Sequence, residues 1–372
     1  MATEPQFIER NVEAIVADMI AYYEQQTGKT LQPAQPERLL INTFAYREGL
    51  VRQAIQDAAV QNLVEFSSAP VLEYLGQLVG VSRLGATASS CTLRFSISNG
   101  PAAQTMPAGI RVASNDGQVV FQTLESTNIA PNQTTPVDLV AVCLTPGALG
   151  NGYIANSIKS ILDPLGYVTA ATNIDTTAGG ADQESDDALR ERIKLAPASF
   201  SNAGSIGAYK YHARSASSSI IDVAITSPTP GTVNIYPLVA GGVTTPTPIL
   251  DAVSAACNEE KVRPLTDTVV VASPTFVTYP IDVEIEIYAG QDSAAITAAV
   301  EDALQAFADM RLGQLGKDVT ESQVLAIAHI PGVYRAVLAQ AIGTSGILTI
   351  TPTQVAKLTG GVIVSVTGTV NG

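Results

Sequence analysis

Histidine is nearly missing from this chain: His212 and His329 are the only two in 372 residues. Neither has a second His, Cys or carboxylate at i+4 or at finger-like spacing, which argues against a metal site. Basic residues are also scarce, 20 Lys and Arg against 34 Asp and Glu, and no basic run occurs. A protein that wraps nucleic acid needs cations to neutralise phosphates. The net charge of −14 therefore excludes nucleic acid and anionic membrane as direct partners. Cys91, Cys143 and Cys257 are odd in number, far apart and set in apolar or strand-like segments. They read as free buried thiols of a protein folded in a reducing compartment. No apolar run approaches the roughly 18 residues that span a bilayer. Met1-Ala-Thr-Glu-Pro-Gln-Phe-Ile8 has neither a basic nor an apolar leader segment, so any exit from a cell is expected by lysis or a dedicated route. Tryptophan is absent, and no Gly-x-Ser-x-Gly elbow appears.

What is present is apolar and weakly charged: 46% hydrophobic and 15% charged residues. That is a chain with several cores to bury, long enough for two to four domains, and with so little charge that other protein is expected to cover much of its surface.

Residues 1–85 read as an N-terminal helical bundle or assembly region. Ile8, Val12, Ile15, Met19 and Tyr22 recur at 4-3-4-3 spacing, a narrow stripe suited to a partner helix or to closing a small bundle. Gly28 is the expected stop. A second helix is predicted over 37–66 with Phe44, Val51, Ile55, Ala58, Ala59, Leu63 and Phe66 on its inner face. A third, opened by Ser68 and Pro70, turns Leu72, Leu75 and Val79 inward and ends at Gly80.

Residues 86–180 read as a mainly β domain. Leu93, Phe95 and Ile97 alternate with polar residues, and Asn99-Gly100-Pro101 ends that strand. Asn115-Asp116-Gly117 between Val112 and Val119 is a hairpin signal. Residues 181–275 and 276–372 read as two small α+β sandwich units, each with helices on one sheet face. Their repeated strand and helix pattern suggests duplication. In the second, Ile281, Val283, Ile285 and Ile287 alternate with Asp282, Glu284 and Glu286, and Thr320-Glu-Ser-Gln323 is a capping box. The fold class is therefore α+β multidomain.

No reaction centre emerges. Gly147-Ala-Leu-Gly150-Asn-Gly152 lacks the Gly-Lys-Ser/Thr ending of a phosphate loop and reads as a turn between strands. Asp182, Glu184, Asp186 and Asp187 lack the register of a calcium loop. Ser185 caps a helix in which Asp186 and Asp187 suit the macrodipole and Asp186 faces Arg190 at i+4. Asp282, Glu284 and Glu286 read as a solvated strand face. No cofactor and no small-molecule substrate are implied.

Gly179-Gly180-Ala-Asp-Gln-Glu184-Ser185-Asp186-Asp187-Ala-Leu189-Arg190-Glu-Arg192-Ile193 resembles the hallmark of baseplate J-like proteins, wedge components of contractile phage tails and related particles. Gly147-Ala-Leu-Gly150-Asn151-Gly152-Tyr-Ile-Ala is similar to that family's Gly-Asn turn. Gly204-Ser-Ile-Gly207-Ala-Tyr209 followed by Val223 is similar to its next helix and strand, and Leu75-Gly-Gln-Leu-Val-Gly-Val81 to the segment before its β region. The resemblance implies a non-enzymatic structural protein, with Gly179, Gly180, Glu184, Ser185, Asp186, Leu189, Arg190 and Arg192 as motif residues. It implies N-terminal helices bundled against a second copy and another wedge protein, and C-terminal units that meet neighbouring wedges in a ring around a hub. That ring would widen on contraction and relay the trigger to the sheath. Assembly in a bacterial host cytoplasm and release by lysis, in a phage tail, a tailocin or an injection system, follow from the same likeness. Gly85, Gly179, Gly180 and Pro274 are candidate hinges between rigid modules. Two other classes remain open on the residues: a β-rich host-surface or carbohydrate-binding module, and an enzyme whose distant residues converge.

Overall fold

In the computed structural model, residues 3–98, 100–201 and 204–371 are described. The strand end expected at Asn99 lies outside them. The chain divides into two compact units: residues 3–82 with Leu189–Lys194, and Arg83–Ala188 with residues 195–371.

The first unit is helical. Helix α1 (Val12–Thr27) starts where the Asn11 side chain accepts from the Glu13 and Ala14 amides and stops at Gly28 in the left-handed region, φ +67°. Helix α2 (Pro36–Val60) has proline in its first turn, where no intrahelical amide is lost. Helix α3 (Val71–Gln77) is short and buries Leu72 completely. That burial alone stabilises the unit by about 1.5–3 kcal/mol. Leu189 and Ile193, from the helix that follows the β domain, complete this core.

The second unit opens with the β domain. Its strands are β1 (Ser90–Ile97), β2 (Gln104–Met106), β3 (Arg111–Ser114), β4 (Val120–Thr123), β5 (Thr127–Ile129), β6 (Val137–Cys143), β7 (Ile158–Ile161) and β8 (Val168–Asn173). Six of them form one antiparallel sheet in the order β7-β3-β4-β6-β1-β8. β7 also packs against β8, so the two edges meet and the sheet curls into a near-barrel. Alternation puts Leu93, Phe95, Val112, Phe121 and Ile158 inside with no exposed surface. The small β2–β5 pair closes one end with Met106 and Ile129. The hairpin expected at Asn115–Gly117 joins β3 to β4, with Gly117 at φ +70°.

A single buried side chain bridges the seam. Asn173 is fully buried; its Oδ1 accepts from the Ser157 and Ile158 amides at 2.9 Å, and its Nδ2 donates to the carbonyls of Ile154 at 2.8 Å and Asp175 at 2.7 Å. Each group left unpaired in that dry position costs about 1–3 kcal/mol. Asn173→Asp keeps the acceptor and removes the donor, which turns two carbonyls toward a carboxylate. We expect it to lower stability by at least about 3 kcal/mol in denaturant melts, and Asn173→Ala by a similar amount.

Helix α4 (Asp186–Leu195), a 3-10 turn and helix α5 (Ile206–Ser215) lead into β9 (Ile220–Thr226), β10 (Thr232–Val239), helix α6 (Thr247–Asn258) and β11 (Thr268–Val271). The last module contains β12 (Thr275–Tyr288), helix α7 (Ser293–Leu312), β13 (Val319–Thr320), helix α8 (Glu321–Ala328), β14 (Val333–Leu338), β15 (Ile347–Leu348) and β16 (Gln354–Val370). Each module is a three-stranded mixed sheet under helices: β11-β10-β9 with Tyr209 and Val253 in its core, and β14-β12-β16 with Val300, Leu304 and Val324. In both, the central strand has one antiparallel and one parallel neighbour. The chain order differs, however: β9-β10-helix-β11 in one, β12-helices-β14-β16 in the other. The likeness expected as a tandem repeat is one of sheet layout, because a mixed three-stranded sheet can be reached by more than one order of the same pieces. The expected capping box forms in full between Thr320 and Gln323.

Candidate assembly surfaces

Two places gather the residues singled out in the sequence.

The first is α2. Ala45, Gly49, Gln56 and Val60 recur along one side of this helix, where α1 packs. A Cβ at Gly49 would stand 3.1 Å from a Val12 methyl, so the two helices approach closely there. Fully buried Gln56 takes the Phe7 amide on its Oε1 at 2.8 Å and gives its Nε2 to the Pro5 carbonyl at 2.7 Å. Small and polar side chains thus fill the inner side. Leu40, Phe44, Val51 and Ile55 recur at the same spacing on the other side and are 60%, 65%, 58% and 48% exposed. This corrects the expected inner face: Phe44, Val51, Ile55 and Ala58 point to solvent in the single chain. Periodicity identified the apolar stripe and misassigned what covers it.

The stripe on α1 divides. Ile15 is buried at 4%, Ile8 (just ahead of the helix) and Met19 are half-buried, and Val12 and Tyr22 are exposed. Met19, Tyr22, Ile41 and Phe44 line a groove between α1 and α2 together with Asp18 and Glu48. Large contiguous exposed apolar patches are typical of interaction sites.

The second place is the glycine-rich motif. Residues 147–152 and 179–184, separate in sequence, meet the segment 84–90 in one hydrogen-bonded knot. Thr87 exchanges both backbone bonds with Ala181 and accepts from the Gly147 amide at 2.9 Å. Asn151 donates to the Gly180 carbonyl at 2.7 Å and accepts from its amide at 2.9 Å. The Ala148 amide donates to Asp182 Oδ1 at 2.9 Å. Gly180 is buried, and a Cβ there would lie 2.4 Å from the Gly147 carbonyl oxygen. Gly179 sits at φ +88°. Backbone contact therefore requires glycine at 180, and the left-handed conformation favours it at 179. In the 147–152 loop the amides of Gly147, Ala148, Asn151 and Gly152 are already bonded within the protein.

The rest of the motif is built on backbone too. Glu184, 4% exposed, accepts from the Leu84 amide at 2.9 Å while its own amide donates to the Leu84 carbonyl. Arg83 donates to the Glu184 carbonyl at 2.7 Å and pairs with Asp186 at 2.6 Å. Ser185 caps α4 through the Ala188 amide. Within the first unit, Arg190 donates to the carbonyls of Val64 and Ser67, both at 2.8 Å, and buried Arg192 to that of Ser82 at 2.6 Å. The i+4 spacing pointed Arg190 at Asp186 and could not reveal these carbonyls. Arg190→Ala is expected to cost about 2–3 kcal/mol, more than the limit of about 1 kcal/mol for an exposed pair. Arg190→Lys should recover little of it, because an ammonium cannot reproduce the guanidinium fork. Chemical melts of the three proteins check this.

Of the expected hinges, Gly85 has open space around its Cα. Gly180 is locked as described, and Pro274 is buried. Gly179 stands between these cases: a Cβ there would come no nearer than 3.7 Å to Pro248.

His212 lies half-buried on α5 with its ring edge-on to Tyr211, and burial lowers its basicity. His329 stands at the C-terminal cap of α8, its amide on the Leu325 carbonyl. Burial pushes the Cys91 and Cys257 thiols up to about 12, which keeps them protonated and unreactive. All three cysteines are free. Asp282, Glu284 and Glu286 lie on the open face of β12, Glu286 being 3.6 Å from Arg335. Among the described residues, no group of three or more His, Cys, Asp or Glu is placed to hold a metal ion. No described helix is long and apolar enough to cross a membrane.

These features define a modular α+β protein with an exposed apolar stripe on its second helix. Four family models match in chain order: the baseplate J-like N-terminal domain over 35–89, the baseplate J-like protein barrel domain over 92–180, the central domain over 201–273 and the C-terminal domain over 279–365. The chain belongs to the baseplate J-like family. It is 40% identical over 158 residues to baseplate protein J of Escherichia phage P2, across 42% of this chain and 52% of that protein. The chain thus spans about half the length of this curated relative. Among solved structures, it is similar to a chain of the cryo-EM structure of the anti-feeding prophage (AFP) baseplate, 6-fold symmetrised. The identity is 13% and the TM-score 0.45, over 93% of this chain and 90% of that one.

Proposed function

We propose that this protein is a structural wedge component of a contractile-tail baseplate, that it joins the ring around the central hub, and that it relays the contraction trigger to the sheath. The observation that carries the reading is the exposed apolar side of α2, set in a chain of the baseplate J-like family. Its partners are a second copy and other wedge proteins at the N-terminal helices, with hub and sheath-proximal components nearby. The working modules are residues 1–85, 86–180, 181–275 and 276–372. Gly85 is the point where compliance would permit rearrangement on contraction. Assembly would take place in a bacterial host cytoplasm, before incorporation into a phage tail or a related particle.

A structural role fits better than catalysis or glycan binding. Of the aromatic residues in the β domain, Phe95 and Phe121 are buried, and the Tyr153 and Tyr167 hydroxyls are bonded to Asp116 and the Thr105 carbonyl. The Tyr153 and Tyr167 rings also pack against the barrel core, and none of the four rings is fully exposed. The test is deletion of the gene from its native particle, with complementation. The reading expects sheaths and tubes without assembled baseplates. Intact, contractile tails in the deletion strain would reject it.

A further inference from the structure

The last strand of the chain lies at the edge of its sheet. In the order β14-β12-β16, β16 pairs with β12 on one side; on the other it is bridged to Leu315 at Val355 and forms an open border over 362–370. Gly360 and Gly361, at φ +78° and +83°, interrupt it, and the stretch 362–370 then runs on as Val-Ile-Val-Ser-Val-Thr-Gly-Thr-Val. Natural proteins protect such borders with lysine, proline or short length. Here residues 358–371 contain no charged residue and no proline, in a chain of net charge −14. The strand is strongly β-forming and long.

Its burial also stops short. Val362, Val364 and Val366 face the helix layer and pack against the core, yet they are only half-buried, whereas Val283 and Ile285 on β12 beside them are fully buried. Ile363 and Ser365 point to the open face, Ile363 at 53% exposure. The apolar layer therefore continues past the last strand that covers it. A further strand would complete both the hydrogen bonds and the burial.

We propose that this border pairs with the same border of a second copy, antiparallel, about a two-fold axis at Val364. That register places Val364 opposite itself, Val362 opposite Val366 and Ile363 opposite Ser365. Valines meet on the helix side, and no like charges meet on the open side. An isologous contact demands such self-complementarity. It also lets two copies of an acidic protein approach along an uncharged line. The five regular residues 362–366 match a typical strand length. The proposal rests on the assembly reading only for the presence of neighbouring copies.

Single cysteines test the register in the full chain. At the axis of an antiparallel pair the Cα atoms lie about 4.5–5.5 Å apart, within disulfide range. The native cysteines are buried and stay out of the reaction. Under mild oxidation Val364→Cys should yield cross-linked dimer at least about tenfold faster than Val362→Cys, which has no cysteine opposite. Mixed Val362→Cys and Val366→Cys chains should cross-link to each other. Equal rates for Val364→Cys and Val362→Cys, with circular dichroism showing both folded, would overturn the proposal. So would cross-linking of Val364→Cys in assembled particles to a different chain. Entry of the variants into particles is read separately and reports on the baseplate role itself.

Discussion

Phe44→Asp combined with Val51→Asp is expected to abolish association through the helical region while leaving the single chain folded. Both side chains are more than half exposed in the single chain, so the change costs its fold little, within about 0.5 kcal/mol for each. At an interface each would be buried, contributing about 1.5–3 kcal/mol, and an aspartate left there adds desolvation. The combined loss is at least about 4 kcal/mol, on the order of a thousandfold in dissociation constant. Sedimentation of the variant should show monomer at concentrations where the parent associates, with an unchanged melting curve. Ile15→Asp makes the opposite control: Ile15 is buried between the helices, so that change should unfold the first unit itself.

Gly180→Ala is expected to be among the most damaging single-methyl additions in the chain. The new Cβ would sit 2.4 Å from the Gly147 carbonyl oxygen and 3.0 Å from the Ser89 amide nitrogen, both backbone atoms that cannot swing aside as a side chain could. Relief requires parting the two motif turns, which breaks the paired bonds of Asn151 with Gly180. Overpacking of this type costs about 1–3 kcal/mol, and loss of the buried backbone bonds adds to it. We expect a drop of about 4 kcal/mol by chemical denaturation. Gly85→Ala, with nothing near its Cα, should change stability by less than about 0.5 kcal/mol.

These two sites also show what the amino-acid order reveals. Alternation at Leu93–Ile97 and Ile281–Ile287 located buried strand faces directly, because a period of two leaves no choice of side. Capping at Ser185 and Thr320 was legible because it depends on neighbours in the chain. The glycines and acids of the motif were legible as a cluster, but their partners at Thr87, Leu84 and Asn151 were not, since those contacts are long-range. The open side of α2 was legible as apolar and misread as inward, because composition does not say whether the covering atoms belong to the same chain. Apolar alternation in β16 is plain in the sequence only over Val362, Val364 and Val366. The strand's full length, 354–370, comes from pairing along β12, which carries it through the two glycines.

A wedge role requires the outer side of α2 to be covered by other protein in the working particle. Hydrogen exchange read on intact tails and on the isolated chain measures this directly. Covering is expected to slow exchange across residues 40–55 by at least about tenfold in the tails, with the barrel strands unchanged. Equal exchange in the two states would contradict the account and leave the exposed apolar side without the role assigned to it.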